Sequence, residues 1–345
     1  MAAHPNSKRP IWLTYGTAAL ALTLLAIMLA ACSGNNDSAS LTVYSGRSES
    51  LIGPLIDQFE ADSGIDVRIR YGDTSELAVA ILEEGDRSPA DVFFAQDAGA
   101  LGAMQDEARF AALDDDLLSR VDATFRSASG QWVGVSGRAR VVVHSTTLAG
   151  DDLPGSIFDL TAPEWEGRVG WAPTNGSFQA FVSAMRQVHG DDVTSDWLRA
   201  MLANGVQEYA KNTPIVQAVG DGEIDVGLVN HYYLWRFLAE DPNFPAANLY
   251  TDAGQAGALV NIAGIGLLDS SDEKDAARIF LDYLLSESAQ QFFASETNEY
   301  PLIDGVEPNP GIPDLATLDP PSLALTSLAD LEGTLDLLRE TGVLP

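Results

Sequence analysis

The sequence predicts an α/β protein of two lobes with a ligand cleft between them. From Leu41 onward, short apolar strands alternate with amphipathic helical stretches, the pattern of a parallel sheet flanked by helices. The alternation runs in two blocks, one before and one after Trp132, joined by extended segments. The chain is also long enough, at 345 residues and 46% hydrophobic, to build two cores rather than remain a disordered acidic polymer.

In the first block, Leu41 to Ser45 reads as a strand and Ser48 to Asp62 as a helix, with Leu51, Leu55, Ile56 and Phe59 on one face. Pro54 falls inside that helix and weakens it as a helical signal. Ile65 to Arg70 alternates as a strand, Ser75 to Glu84 is a helix closed by Gly85, and Asp91 to Ala95 is a buried strand. A further helix lies near Gly99 to Glu107. In the second block, Arg138 to His144 and Val169 to Trp171 are strands. Ser177 to Val188 and Val193 to Leu202 are helices. Val206 to Ala210, Ile215 to Val219 and Ile224 to Val229 read strand, helix, strand. Ala258 to Leu268 is a long apolar strand, and Asp275 to Phe293 one amphipathic helix. A Pro-rich loop from Tyr300 to Pro321 leads to a last helix, Leu328 to Glu340.

Charge excludes several partners. Fifty acidic against 19 basic side chains give a formal net charge of −31. Nucleic-acid binding needs Lys and Arg clusters on phosphates, and anionic membranes attract basic segments. Such a surface favours a soluble monomer. The densest acidic run, Asp114 to Asp116, reads as a solvated loop.

The N-terminus reads as a targeting segment. Residues 1–31 hold no acid; Lys8 and Arg9 precede an apolar run from Ile11 to Ala31. A basic start, an apolar core and small residues before a break describe a secretory signal. Leu29-Ala30-Ala31-Cys32 is similar to a bacterial lipoprotein signal, with Cys32 lipidated and residues 32–40 forming a tether. The run is also long enough for an uncleaved anchor. Both readings place the globular part outside the cytoplasm. Loss of residues 1–31 removes two basic side chains and no acid, so the rest is more acidic still.

Enzyme signatures are sparse. Cys32 is the sole cysteine, and histidine occurs only at His4, His144, His189 and His231. No nucleophile elbow, P-loop, dinucleotide fingerprint or zincin motif occurs. The most unusual local sequence is Asn230-His231-Tyr232-Tyr233, at the carboxyl end of a strand, where open α/β sheets bind ligands. At a strand-to-helix corner the two phenols can converge; alternatively the pair packs in the core beside Leu234, Trp235 and Phe237.

Five segments carry a resemblance: Tyr44-Ser45-Gly46-Arg47, Ser88 to Phe93, Ser136 to Val141, Pro173 to Phe178, and Asn230 to Tyr233. In order and spacing the sequence resembles the periplasmic ferric ion-binding proteins of ABC transporters. The resemblance implies a two-lobed type II periplasmic-binding-protein fold, with Fe³⁺ held by Tyr232 and Tyr233. It also implies a synergistic anion, carbonate or phosphate, near Asn175, Gly176, Ser177, Asn212 and Asn230. Asn175-Gly176-Ser177 equally suits an ordinary turn and cap. Arg138 or Arg140 would pair with the anion, or form a salt bridge at the hinge. Two ligand positions of the family are altered here, to Ser48 and Gln96. The place of a third tyrosine in one branch is His144, either a metal ligand or a hinge residue. The expected lobes are residues 41–137 with about 262–312, and 138–261 with about 313–345. A binding protein of this kind serves a membrane permease and an ATPase subunit. A different solute on the same fold (phosphonate, polyamine or sulfate) and an extracytoplasmic enzyme are the alternatives.

Overall fold

A computed structural model describes residues 1–2 and 40–345. The signal segment and Cys32 therefore lie outside the described residues. Among the described residues, no helix is long and apolar enough to cross a membrane.

The first lobe is built on β1 (Ser40–Ser45), β2 (Asp66–Tyr71) and β3 (Val92–Ala95). β1 lies between β2 and β3 and runs parallel to both. Parallel neighbours need crossover connections, supplied by α1 (Glu49–Ser63) and α2 (Thr74–Glu84). α1 buries Ile52, Leu55, Ile56 and Phe59. It runs through Pro54 because that residue sits on its exposed face. α3 (Ala98–Asp106) follows β3, with Asp97 Oδ1 accepting the Ala100 N–H as its cap.

Chain passage between lobes is carried by β4 (Val133–Ser145), thirteen residues long and buried throughout. Its first half pairs with β9 (Val260–Leu267) and with β10 (Tyr300–Pro301). Its second half pairs with β7 (Val226–Asn230) and β8 (Ala246–Leu249). The second lobe adds β5 (Val169–Trp171) and β6 (Gln207–Glu208), both parallel in the β7–β5–β6 run. Helices α4 (Gly176–His189), α5 (Asp191–Ala203), α6 (Asn212–Asp221) and α7 (Tyr232–Glu240) cover it. Strand order along the whole path is β2-β1-β3-β9-β4-β7-β5-β6. The architecture is the two-lobed α/β arrangement read from the sequence.

Two elements depart from expectation. The single helix expected over Asp275 to Phe293 is two, α8 (Lys274–Leu284) and α9 (Glu287–Ser295). The break falls at Ser286, whose extended backbone and hydroxyl cap the Ala289 N–H. Periodicity alone does not register the cap in the polar Ser286-Glu287-Ser288 when apolar residues resume beyond it. The strand expected over Val206 to Ala210 shrinks to Gln207–Glu208, both exposed at the sheet edge. The last helix, α10 (Leu331–Glu340), packs its buried Leu337 and Leu338 inward, and Thr334 meets the Ser183 hydroxyl on α4 at 2.7 Å. Asp114, Asp115 and Asp116 are exposed, but the run is not a loop: Asp115 and Asp116 open a short helix, Asp115–Leu118, with Asp114 before it.

Candidate ligand cleft

The carboxyl ends of β1, β2 and β3 face those of β5, β6 and β7 across a cavity of about 580 Å³. One wall comes from the first lobe: Arg47 and Ser48 after β1, Asp73 after β2, Gln96 after β3. The opposite wall carries Asn175, Lys211, Tyr232, Tyr233 and Arg236.

The tyrosines owe their placement to a corner. β7 ends at Asn230, His231 already has helical backbone angles (φ −57°, ψ −37°), and α7 begins at Tyr232. Adjacent residues on a strand would point to opposite faces. Here the two rings stack, centroids 4.2 Å apart and planes 28° apart. Tyr232 is fully buried and Tyr233 partly so. Burial, and then the neighbouring Tyr233, hold the Tyr232 phenol far above its usual range, while Arg47 and Arg138 pull it down.

His231 turns away from the cavity. Its Nδ1 accepts the Ala139 N–H at 3.1 Å, and its ring lies against Tyr300 at 4.8 Å. Burial pushes its pKa down to about 4, so it is neutral at pH 7. It locks the corner to β4 and leaves the phenols free.

Three buried guanidinium groups surround the tyrosines. Arg47 pairs with Glu299, which also accepts the Ser136 hydroxyl at 2.7 Å. Burial opposes the Arg47 charge, but Glu299 and the tyrosines outweigh it and raise its pKa. Arg138 donates through Nη2 to the Ile262 carbonyl at 2.8 Å. Arg140 donates to the Leu228 carbonyl at 3.0 Å and lies over the Phe181 ring at 4.9 Å. Burial lowers the Arg140 pKa to about 9, with Tyr233 opposing the shift. Among the described residues, Nε and Nη1 of both Arg138 and Arg140, and Nε of Arg47, are buried without a hydrogen-bond partner. Among the described residues, neither Arg138 nor Arg140 forms the salt bridge of the alternative reading. Asn230 lies directly opposite Arg140 in the β4–β7 register.

The expected anion residues also converge. Asn175 caps α4, its Oδ1 accepting the Ser177 N–H at 3.0 Å and hydroxyl at 2.6 Å. Asn212, at the start of α6 and fully buried, donates to Asn175 Oδ1 and Ser177 Oγ, each at 3.2 Å. The ends of α4 and α6 therefore meet at one point, with Gly176 between them. A helix start of this kind presents free N–H groups and a positive dipole end.

His144 is not brought to the tyrosines. It pairs with Val226 at the start of β7, whereas the tyrosines follow the strand's end opposite Arg140. Four strand residues separate the two levels, about 13 Å. Its Nδ1 is engaged with the Ser145 carbonyl at 2.9 Å. Position relative to the Arg-Val pair suggested a ligand, but strand register puts the ring at the far end of β4. Sequence reasoning also missed Arg47, Lys211 and Arg236 as cleft residues. Arg47 belongs to the Tyr44-Ser45-Gly46-Arg47 motif, and Arg236 lies one helical turn beyond the tyrosines, the spacing that shares a helix face. Asp97, buried and raised in pKa chiefly by that burial, lies across the lobes from Gly176. Among the described residues, no three His, Cys, Asp or Glu side chains gather as a metal cluster.

A polar cleft between two α/β lobes, built on strand ends, defines a solute-binding protein. The chain belongs to the bacterial extracellular solute-binding protein family, matched over residues 41–296, and within it to the periplasmic ferric ion-binding proteins. It is 33% identical to an Fe(3+)-binding periplasmic protein of Serratia marcescens, over 88% of this chain and 90% of that one. The fold matches iron-bound HitA from Pseudomonas aeruginosa with a TM-score of 0.84, at 33% identity, covering 88% of this chain and 99% of that one. It also matches a Trichodesmium protein described in complex with iron and citrate ligands, TM-score 0.75 at 26% identity, covering 88% and 99%.

Proposed function

We propose that the protein captures ferric iron outside the cytoplasm and hands it to the permease and ATPase subunits of an ABC importer. Tyr232 and Tyr233 are the protein's iron ligands in this reading, and His144 is not one. The stacked pair carries the reading, because both rings line a cavity that also holds the buried Arg47 and the exposed Lys211 and Arg236. Fe³⁺ is hard and highly charged, and favours anionic oxygen. A bound cation removes the phenol proton that burial otherwise retains. Arg47 and Arg138 lower the cost of the resulting negative charge.

Two tyrosinates leave most of the iron shell to an outside anion. The meeting point of Asn175, Gly176, Ser177 and Asn212, with Asn230, Arg138 and Arg140 beside it, is the seat for carbonate or phosphate. The two lobes, residues 41–137 with about 262–312 and 138–261 with about 313–345, close about β4 and β9. Lipidated Cys32 holds the monomer to the membrane, and the segment between it and β1 is the tether, one residue shorter than expected because Ser40 already pairs with Asp66. Six curated relatives carry names of iron-binding or iron-uptake proteins, which favours transport over an enzyme.

Equilibrium dialysis tests the reading. Fe³⁺ with bicarbonate or phosphate should load to one iron per chain, and far less without any anion. Equal loading with and without an anion would contradict the seat.

A further inference from the structure

Near its C-terminus the chain crosses between the lobes again, away from the paired strands β4 and β9. Leu325–Ala329, a short 3₁₀ segment, lies on α3 of the first lobe, and α10 then packs on α4 of the second. Leu328 and Leu331 line a cavity of about 300 Å³, with Asp97 on one side and Gly176, Gln179 and Ser183 on the other. That cavity adjoins the main cleft, since Gln96 and Asn175 line both. The lobes touch at this edge: a Cβ at Gly176 would lie 3.8 Å from Asp97 Oδ2.

Two glycines make the seat on α3. Gly99 and Gly102 stand three residues apart, on one helix face. A Cβ at Gly99 would meet the Leu328 carbonyl oxygen at 2.6 Å, and one at Gly102 the Ala329 methyl at 2.8 Å. Glycine inside a helix costs about 1 kcal/mol against alanine, so α3 gives up stability where the segment approaches it. Leu325 and Leu328 are buried there. Among the described residues, no hydrogen bond joins Leu325–Ala329 to α3, so packing alone holds this seat.

The seat on α4 is stronger. Arg186 binds the Asp330 carboxylate at 3.0 Å and donates to Thr334 Oγ1 at 3.0 Å, and the Ser183 and Thr334 hydroxyls meet at 2.7 Å. Leu337 and Leu338 are buried on the same helix. Asp330 alone separates the two seats, and one residue spans at most about 3.6 Å. The connection has no slack. When the lobes part at this edge, one seat must let go, and the seat without hydrogen bonds is the weaker.

We propose that Leu325–Ala329 is a strap that holds the α3–α4 edge of the cleft shut, and that it lifts off Gly99 and Gly102 when the cleft opens to exchange its solute. A packing contact outside the ligand shell then sets how fast the solute leaves. That the solute is iron rests on the tyrosine reading; the strap does not.

Hydrogen exchange tests the strap in the wild-type protein. On loading with Fe³⁺ and bicarbonate, the amides of Leu325–Ala329 should slow at least about tenfold, while those of α10 stay within about twofold. Gly99→Ala/Gly102→Ala favours the helix yet crowds the seat. It should pass iron to a competing chelator at least about fivefold faster than wild type, with the same visible band. Gly53→Ala on α1, where the new methyl meets only Glu49 Cγ at 3.7 Å, should release iron at the wild-type rate. Equal exchange at Leu325–Ala329 in both forms, or a double-alanine release rate equal to wild type's, overturns the inference and leaves the tyrosine site standing. If the protein takes up no iron, the tyrosine reading fails by itself, and small-angle scattering still judges the strap. Iron-free Gly99→Ala/Gly102→Ala should then have a larger radius of gyration than iron-free wild type, and an equal one overturns the strap.

Discussion

Tyr232 and Tyr233, neighbours in sequence, lie ring on ring at 4.2 Å because the chain turns from strand to helix at His231. The same turn buries His231 against β4 and places both tyrosines in the cleft lining.

Iron binding should release protons. An ordinary Tyr titrates near 10, and burial raises Tyr232 further. Each phenol proton displaced by iron makes affinity fall about tenfold per pH unit as pH drops, so two give roughly 100-fold per unit. Iron affinity measured from pH 8 to pH 6 against a competing chelator, corrected for that chelator's own protonation, should show this slope. A flat profile contradicts tyrosinate ligation.

His231 should make the iron-free protein acid-sensitive. Its folded pKa, about 4, lies below the unfolded value near 6.5. The unfolded state therefore binds the proton first. The contribution to stability is complete above about pH 6.5, and is lost as pH falls toward 4, by up to about 3 kcal/mol. Urea midpoints across that range, for wild type and His231→Gln, should diverge least at low pH.

Arg47 and Glu299 form a buried pair that ties the loop after β1 to the segment before β10. Removing one partner strands the other charge. Arg47→Met should cost about 3–5 kcal/mol in urea unfolding, and the double change Arg47→Met/Glu299→Gln much less than the sum. Additive costs would mean the two residues act independently.

Asn212 joins the starts of α6 and α4 through its two hydrogen bonds. Asn212→Ala should weaken iron retention in bicarbonate by about 10–100-fold, the usual effect of a change beside a ligand shell. His144→Ala should leave iron affinity within about twofold, since its ring lies roughly 13 Å along β4 from the tyrosine level. Dialysis against a chelator measures both.

Much of this was legible in sequence because the fold is written in periodicity. Helix α1 announced itself through Leu55, Ile56 and Phe59, and β3 through Val92 to Ala95. The tyrosine pair and the Asn175 cap were readable because each sits at a local corner whose geometry follows from neighbours in the chain. The sequence left His144 open between ligand and hinge residue, because its relation to the tyrosines depends on β4–β7 register, which pairs residues about 90 positions apart. Arg47 was missed for the same reason: its partner Glu299 lies 252 residues away. The break at Ser286 was passed over because apolar residues resume at Ala289, Phe292 and Phe293 beyond the polar Ser286-Glu287-Ser288.

The visible absorption spectrum during titration with Fe³⁺ and bicarbonate tests the tyrosine site most directly. One equivalent of iron should give a red colour from tyrosinate-to-iron charge transfer, and Tyr232→Phe/Tyr233→Phe should show neither colour nor retained iron. Stoichiometric iron without a visible band, or undiminished iron binding by that double variant, would contradict it.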